Sequence, residues 1–285
     1  MLILDFFEVK LYGPMLKLYY LLFALKIVTC SCSNEYKDDF ERTKYKISKI
    51  GKMPIQVDES SGLEIAGENE FWTHNDSGGE AKLYKVTGEG KLLDSLEIDG
   101  AKNVDWEEIT QDDKGNLYVG DFGNNRQSRK DLTIYKTNGN KTERITFRYA
   151  DQTAFPANPP KFDCEAFFWY QNSLYLFTKN YTKKNHVTQL YALPDKAGDY
   201  EISPKGSWET DAMVTAADIS PNEKEFALLT YGKVLVFNIV NGEIDFSSPK
   251  TCFKTRRKQT EAIIYKNNKE LIFSNEQRSI YQISY

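Results

Sequence analysis

Acidic side chains recur in this chain at positions where they could hold a hard metal ion or a polar ligand. Five short segments share one pattern, a small or acidic polar stretch followed by apolar residues: Glu59-Ser60-Ser61-Gly62-Leu63, Asp105-Trp106-Glu107-Glu108-Ile109, Asp163-Cys164-Glu165-Ala166-Phe167, Thr215-Ala216-Ala217-Asp218-Ile219 and Gln259-Thr260-Glu261-Ala262-Ile263. Their third positions are Ser61, Glu107, Glu165, Ala217 and Glu261, with Asp105 and Asp163 two residues earlier. A second set lies at the ends of later strand-like runs: His74-Asn75-Asp76, Asp121 to Asn125, Thr178-Lys179-Asn180 and Asn275-Glu276. Two carboxylates ~5.5 Å apart repel by roughly 3 kcal/mol at an effective dielectric of about 20. Gathered carboxylates therefore need a raised pKa, a neighbouring cation or a metal. Lys179, Arg126 and Arg129 are the internal cations available. A site rich in Asp, Glu and Asn but poor in His favours calcium, with magnesium second. The metal-ligand candidates are Asp76, Asp105, Glu107, Asp121, Asp163 and Glu165. The ligand-contact candidates are His74, Asn75, Arg129, Lys179 and Glu261. Against this stands a purely structural network, in which the carboxylates cap turn amides and pair with Lys or Arg. A catalytic centre is a third possibility.

These residues need elements that bring them together. From residue 44 the chain breaks into short runs rich in Val, Ile, Tyr and Phe, separated by turn signals. The five acidic segments recur at about 44 to 58 residues, the spacing of a four-stranded propeller blade. Within each repeat a second strand follows (EFWTHND, NLYVGDF, SLYLFTK, EFALLTY, ELIFSNE), then a third (AKLYKV, LTIYKT, TQLYAL, KVLVFNI, SIYQISY). The last repeat lacks a fourth strand, which YKISKIGKMP near residue 45 can supply, closing the ring. The expectation is an all-β chain, a single five-bladed β-propeller over 44–285 closed by an N-terminal strand. The alternatives are a sixth blade, a β-sandwich or an irregular all-β domain. First strands line the axis of a propeller, so the five third positions form a ring.

The formal net charge of −4 provides no basic field for nucleic acid. The run Lys254 to Lys258 reads as a solvated loop, with an anion-binding patch as the alternative. Two histidines, His74 and His186, argue against zinc sites built on several imidazoles. No phosphate-binding loop, nucleophile elbow or Cys-x-x-Cys pair occurs. Gly78-Gly79, Gly120 and Gly123 read as turn glycines, and Trp106 as packing between blades.

Residues 15 to 30, MLKLYYLLFALKIVTC, have the layout of a secretory signal and are too short and interrupted to span a membrane comfortably. The end, Thr29-Cys30-Ser31-Cys32-Ser33, resembles the lipobox of bacterial lipoproteins. Cys32 is the expected lipid-bearing residue and Cys30 the alternative. Lys37-Asp38-Asp39 resembles an export signal of Bacteroidetes-type surface lipoproteins. Residues 1–32 are thus the targeting segment and 33–43 a tether. The expected location is the outer membrane, cell surface or periplasm, with the membrane reached through the lipid alone. Cys164 and Cys252 are expected as buried thiols, a disulfide between them being the lesser alternative.

The segments FWTHNDSGGEAKLYKV, VDWEEI, LYVGDFGNNRQSRKDLTIYK and FDCEAFF followed by LYLFTK resemble a broad family of poorly characterised bacterial β-propellers, similar to NHL-like, YVTN-like and SdiA-regulated-like propellers. The resemblance covers about residues 60 to 180. It marks Asn75, Asp76, Ser77, Gly78, Asp105, Trp106, Glu107, Asp121, Gly123, Asn125, Arg129, Asp163, Glu165 and Lys179 as family-type positions. This chain departs from the pattern at Phe122, usually aliphatic, and at Asn124, usually an acid. The resemblance implies a propeller and no particular reaction.

Two functions follow as expectations. One is a surface-exposed module that binds a small molecule, a protein or a glycan, with calcium at the acidic channel end. The other is a metal-dependent hydrolase of an extracellular phosphoester or lactone, with Asp76, Glu107, Asp121 and Glu165 on the metal and Lys179 or Arg129 stabilising negative charge. The hydrolase requires three of its carboxylates around one point.

Overall fold

The computed structural model describes residues 32, 43–179, 186–210, 212–255 and 259–285. The signal-like segment, the tether at 33–42, Asn180 and residues 256–258 of the basic run lie outside the described residues. The described chain is all-β, and its strands form five small sheets that make a five-bladed propeller. The first strand, β1 (Lys46–Lys52), waits for the last blade. Blade 1 contains β2 (Ser60–Gly67), β3 (Glu70–Asn75), β4 (Lys82–Thr87) and β5 (Leu92–Glu97). Blade 2 contains β6 (Trp106–Gln111), β7 (Leu117–Asp121), β8 (Thr133–Thr137) and β9 (Thr142–Tyr149). Blade 3 begins with β10 (Asp163–Tyr170), β11 (Ser173–Lys179) and β12 (His186–Pro194). The chain then crosses to blade 2, adds β13 (Gly198–Ile202) parallel to β9, and returns as β14 (Gly206–Thr210) on the edge of blade 3. Blade 4 holds β15 (Val214–Ile219), β16 (Glu225–Thr230) and β17 (Lys233–Val240), with β18 (Glu243–Ile244) and β19 (Thr251–Lys254) both on β17. Blade 5 is β20 (Thr260–Asn267), β21 (Glu270–Asn275), β22 (Ser279–Ser284) and finally β1.

The closing strand is where the repeat pattern puts it. β1 pairs antiparallel with β22, Ile47 opposite Ile283, so the N-terminal strand completes the C-terminal blade. That pairing removes two free sheet edges at once. The inner strands β2, β6, β10, β15 and β20 each touch the next, and β20 returns to β2.

The core is divided as blades require. Among the described residues five apolar clusters occur, one between each pair of neighbouring blades. A β-sandwich would place one core between two layers. The alternating strands supply both faces of each blade, and aromatic residues fill the wedge between them. Between blades 3 and 4, Phe226 stacks on Phe237 with ring centroids 5.0 Å apart, and Phe168, Phe177 and Phe246 pack around them. Truncating Phe226 to Ala should cost about 3–5 kcal/mol.

The cysteines differ from expectation. Cys252 is not a free thiol: it forms a disulfide with Cys32, their Cα atoms 5.8 Å apart and 220 residues apart in sequence. Cys164 is the buried free thiol, its pKa pushed well up by burial. The link pins the N-terminal lead to the outer strand of blade 4, one blade before the strand that closes the ring. A sulfur so bonded has no valence left for a thioether-linked lipid.

Candidate functional site

A repeated backbone irregularity builds one end of the channel. Each inner strand shifts register at the same point: between Ser60 and Leu63, Trp106 and Glu108, Cys164 and Ala166, Val214 and Ala216, and Thr260 and Ala262. The first residue skipped at each shift is unpaired in the ladder and re-aimed by the local kink. These residues are Ser61 (with Gly62 also skipped in blade 1), Glu107, Glu165, Thr215 and Glu261. The ring therefore contains Thr215 in blade 4, not Ala217. The two hydroxyl members bond to the next inner strand along the ring. Ser61 Oγ donates to Glu107 O at 2.8 Å, and Thr215 Oγ1 donates to Thr260 O at 2.6 Å. The three glutamates keep their carboxyl groups for other partners.

Those partners come from a second ring, where each second strand ends. Asp76 N donates to Glu59 O, Gly123 N to Asp105 O, Tyr231 N to Met213 O and Glu276 N to Gln259 O, while Lys179 pairs in register with Asp163. The exit ring is thus Asp76, Gly123, Lys179, Tyr231 and Glu276. In blade 3, Lys179 Nζ lies 2.9 Å from Glu165 Oε2, both side chains nearly buried. In blade 5, Glu261 Oε1 accepts from Tyr231 Oη at 2.6 Å, and Lys179 Nζ sits 5.4 Å from the Tyr231 ring centroid.

Blade 2 is different because its exit residue is glycine. A Cβ on Gly123 would collide with the carboxylates of Glu107 and Asp105. The space a side chain would fill is occupied by two carboxylates instead. Asp76 joins them: Asp76, Asp105 and Glu107 each place an oxygen within 4.8 Å of the others. All three carboxyl groups titrate high. Asp105 is pushed up to about 6 by burial and by Asp76 and Asp163. Glu107 is pushed well up by burial, then by Glu165, Asp76 and Asp105, with Lys179 opposing. Burial raises Asp76 as well, against the Ser77 amide and Lys179.

The other expected ligands are engaged elsewhere. Asp121 pairs with Arg129 at 3.1 Å and accepts from the Asp105 amide at 2.9 Å, so it fastens the loop beside the trio. Arg129 also donates to the carbonyls of Gly123 and Asp121 and pairs with Asp131. Asp163 Oδ1 accepts from Asn124 N at 2.6 Å. Asn124, where the family pattern has an acid, bonds to Phe162 O and accepts the amides of Ser128 and Arg129. Phe122 leaves the channel for the core between blades 2 and 3, edge-on to Phe167. Asn75 holds Gln56 O, and its own carbonyl accepts from Asn103. His74 is wholly buried edge-on to Trp106, its pKa lowered to about 4 by burial, so it stays neutral. Arg126 is exposed.

Of the six expected metal ligands, the structure brings three together and gives the other three separate partners. Sequence reasoning missed Tyr231 and Thr215. The available signal was the alignment of Leu229-Thr230-Tyr231 with Phe177-Thr178-Lys179, which puts Tyr231 in the lysine's place.

The donor set suits a hard divalent cation. Three carboxylate oxygens around one glycine-cleared point match calcium chemistry, and calcium's remaining ligand positions would be open to water or a bound molecule. No protein-family model and no curated protein sequence matches the chain. Solved structures of similar chain path include a gluconolactonase from Xanthomonas campestris, at 9% identity over 84% of this chain and 89% of that one, TM-score 0.49. They also include a PQQ-bound aldose sugar dehydrogenase from Streptomyces coelicolor, at 10% identity over 85% and 98%, TM-score 0.47. A protein of unknown function from Bacteroides thetaiotaomicron aligns at 10% identity over 85% and 76%, TM-score 0.47. At such identities the likeness is one of chain path alone.

Proposed function

We propose that this propeller is an envelope-anchored binding module that holds a calcium ion on Asp76, Asp105 and Glu107 and presents it to a ligand at one channel end. The observation that carries this reading is the convergence of three carboxylates at the one glycine of the exit ring, while Lys179 and Arg129 make their direct ion pairs with Glu165 and Asp121. Without a cation, one buried and two half-buried carboxyl groups must share protons or repel. With one, each becomes a ligand. The signal-like segment and its cysteines support attachment to a membrane through lipid. Because the Cys32 sulfur is bonded to Cys252, the cysteine left to carry that lipid is Cys30. Thermal unfolding of the full chain in calcium and in chelator tests the cation. Calcium at a hundred times its Kd should stabilise the fold by about 2.7 kcal/mol, and Asp105→Asn should remove the effect. Equal melting temperatures in calcium and chelator would overturn the reading.

A second reading, hydrolysis of a phosphoester or lactone, draws on Glu261 and Lys179. Glu261 is pushed up to about 7 by burial, which suits a carboxyl group that exchanges protons near neutrality. Lys179 stands close enough to lower both Glu261 and Glu107. A calcium-dependent turnover of a lactone or phosphoester panel, lost in Glu261→Gln, would support it. Turnover unchanged in that variant would remove Glu261 from the chemistry.

A further inference from the structure

The residue after Glu107 takes no part in the carboxylate trio. Glu108 is wholly buried on β6, and its carboxyl group is gripped by two backbone amides. Oε1 accepts from Ile109 N at 3.0 Å, and Oε2 accepts from Ala217 N of β15 at 3.2 Å. β6 and β15 belong to blades 2 and 4, which are not neighbours in the ring, so this side chain crosses the channel. The neighbouring inner strands have small residues after their bulges: they carry Ala166, Ala216 and Ala262, and Gly62 lies in the widened gap of blade 1. A Cβ on Gly62 would meet His74 Nε2 at 2.7 Å and Glu108 Oε1 at 2.8 Å, and the residue has φ +97°.

We propose that Glu108 is a positioning residue for the carboxylate trio: by bridging to Ala217 it closes the channel beneath the site and locks the β6 bulge that turns Glu107 toward Asp76 and Asp105. A bulge leaves its extra residue outside the ladder, so its orientation depends on what holds the residues beside it. Glu108 supplies that hold from across the channel. The effect on calcium rests on the cation reading given above, whereas the bridge itself does not.

Glu108→Gln in the full chain keeps the volume but not the chemistry. Both oxygens of the Glu108 carboxyl group accept from backbone amides here, whereas an amide accepts at one end and presents a donor at the other. The loss of one such bond is worth about tenfold. Amide exchange at Ala217 or Ile109 should therefore quicken by about that factor, with β8 amides unchanged. Calcium affinity should fall by a similar factor. The penalty of Glu107→Gln should also shrink in the Glu108→Gln background, because Glu107 is no longer held in place. Unchanged exchange at both amides would reduce Glu108 to a space-filler and overturn the bridge. Equal Glu107→Gln penalties in both backgrounds would overturn the positioning role. If the wild-type chain takes up no calcium, the cation reading fails on its own and the exchange measurement alone decides the bridge.

Discussion

Glu107 and Glu165 occupy the same bulge in adjacent blades, yet they live in opposite electrostatic surroundings. In blade 3 the exit residue is Lys179, and Glu165 is neutralised within 2.9 Å. In blade 2 the exit residue is Gly123, and Glu107 lies beside two further carboxylates, with Lys179 paired to Glu165 instead. The repeat delivers the same acid to each position, and the residue opposite decides whether it becomes part of the scaffold or part of a site. Blades 3 and 4 use that position for Lys179 and Tyr231, which satisfy Glu165 of blade 3 and Glu261 of blade 5 from within the protein. Blades 1 and 2 use it for Asp76 and Gly123 and leave charge to be met from outside.

The comparison breaks most sharply at Lys179. Lys179→Met leaves Glu165 buried without its cation, which should cost about 3–5 kcal/mol in denaturant unfolding. The double variant with Glu165→Gln should recover much of that loss. If Lys179→Met proves as stable as wild type, the two halves of the channel do not differ as described.

Gly123→Ala tests the other half. A methyl group there enters the space of Glu107 and Asp105, so calcium affinity should fall by about 10–100-fold. Without calcium the fold should also weaken, because the carboxylates have to move. Alanine tolerated with full affinity would place the cation elsewhere.

The smallest effect is on pH. Asp105 titrates at about 6, and Asp218 and Glu261 at about 7, all above ordinary values of 3.8 to 4.5. The folded chain holds these protons where the unfolded chain releases them, so stability falls as pH rises from about 4 to about 7. His74, lowered to about 4 from 6.5, works in the opposite sense, adding stability as pH rises over that range. The raised carboxyl groups, Glu107 among them, outweigh one imidazole. The metal-free melting temperature should drop by about 5 °C between pH 5 and pH 8, and calcium should flatten the Asp105 share of that slope. A melting temperature that climbs with pH in chelator would contradict the raised titration of these carboxyl groups.

Much of the fold is legible from residue types because blades repeat and strands alternate. The five acidic segments, the third-strand Tyr positions and the spare strand at β1 lead directly to a five-bladed closed ring. What residue types do not show is register. A bulge is a backbone event, and reading the blade-4 segment from its acid, Asp218, puts Ala217 in the ring when the bulge selects Thr215. The excursion of β13 onto blade 2 is hidden for a related reason, since a parallel edge strand needs no turn signal of its own. The Cys32–Cys252 bond joins residues that no periodicity relates. Within the site the acids themselves are visible in the sequence, while their division into trio and ion pairs depends on Gly123, whose meaning lies in the space around it.

Calorimetric titration of the full chain with calcium, run beside Glu107→Gln and Glu261→Gln, tests the division most directly. One calcium per chain should bind wild type and Glu261→Gln alike, with the heat abolished in Glu107→Gln. Binding that survives in Glu107→Gln and disappears in Glu261→Gln would place the cation in the wrong half of the channel and contradict the account.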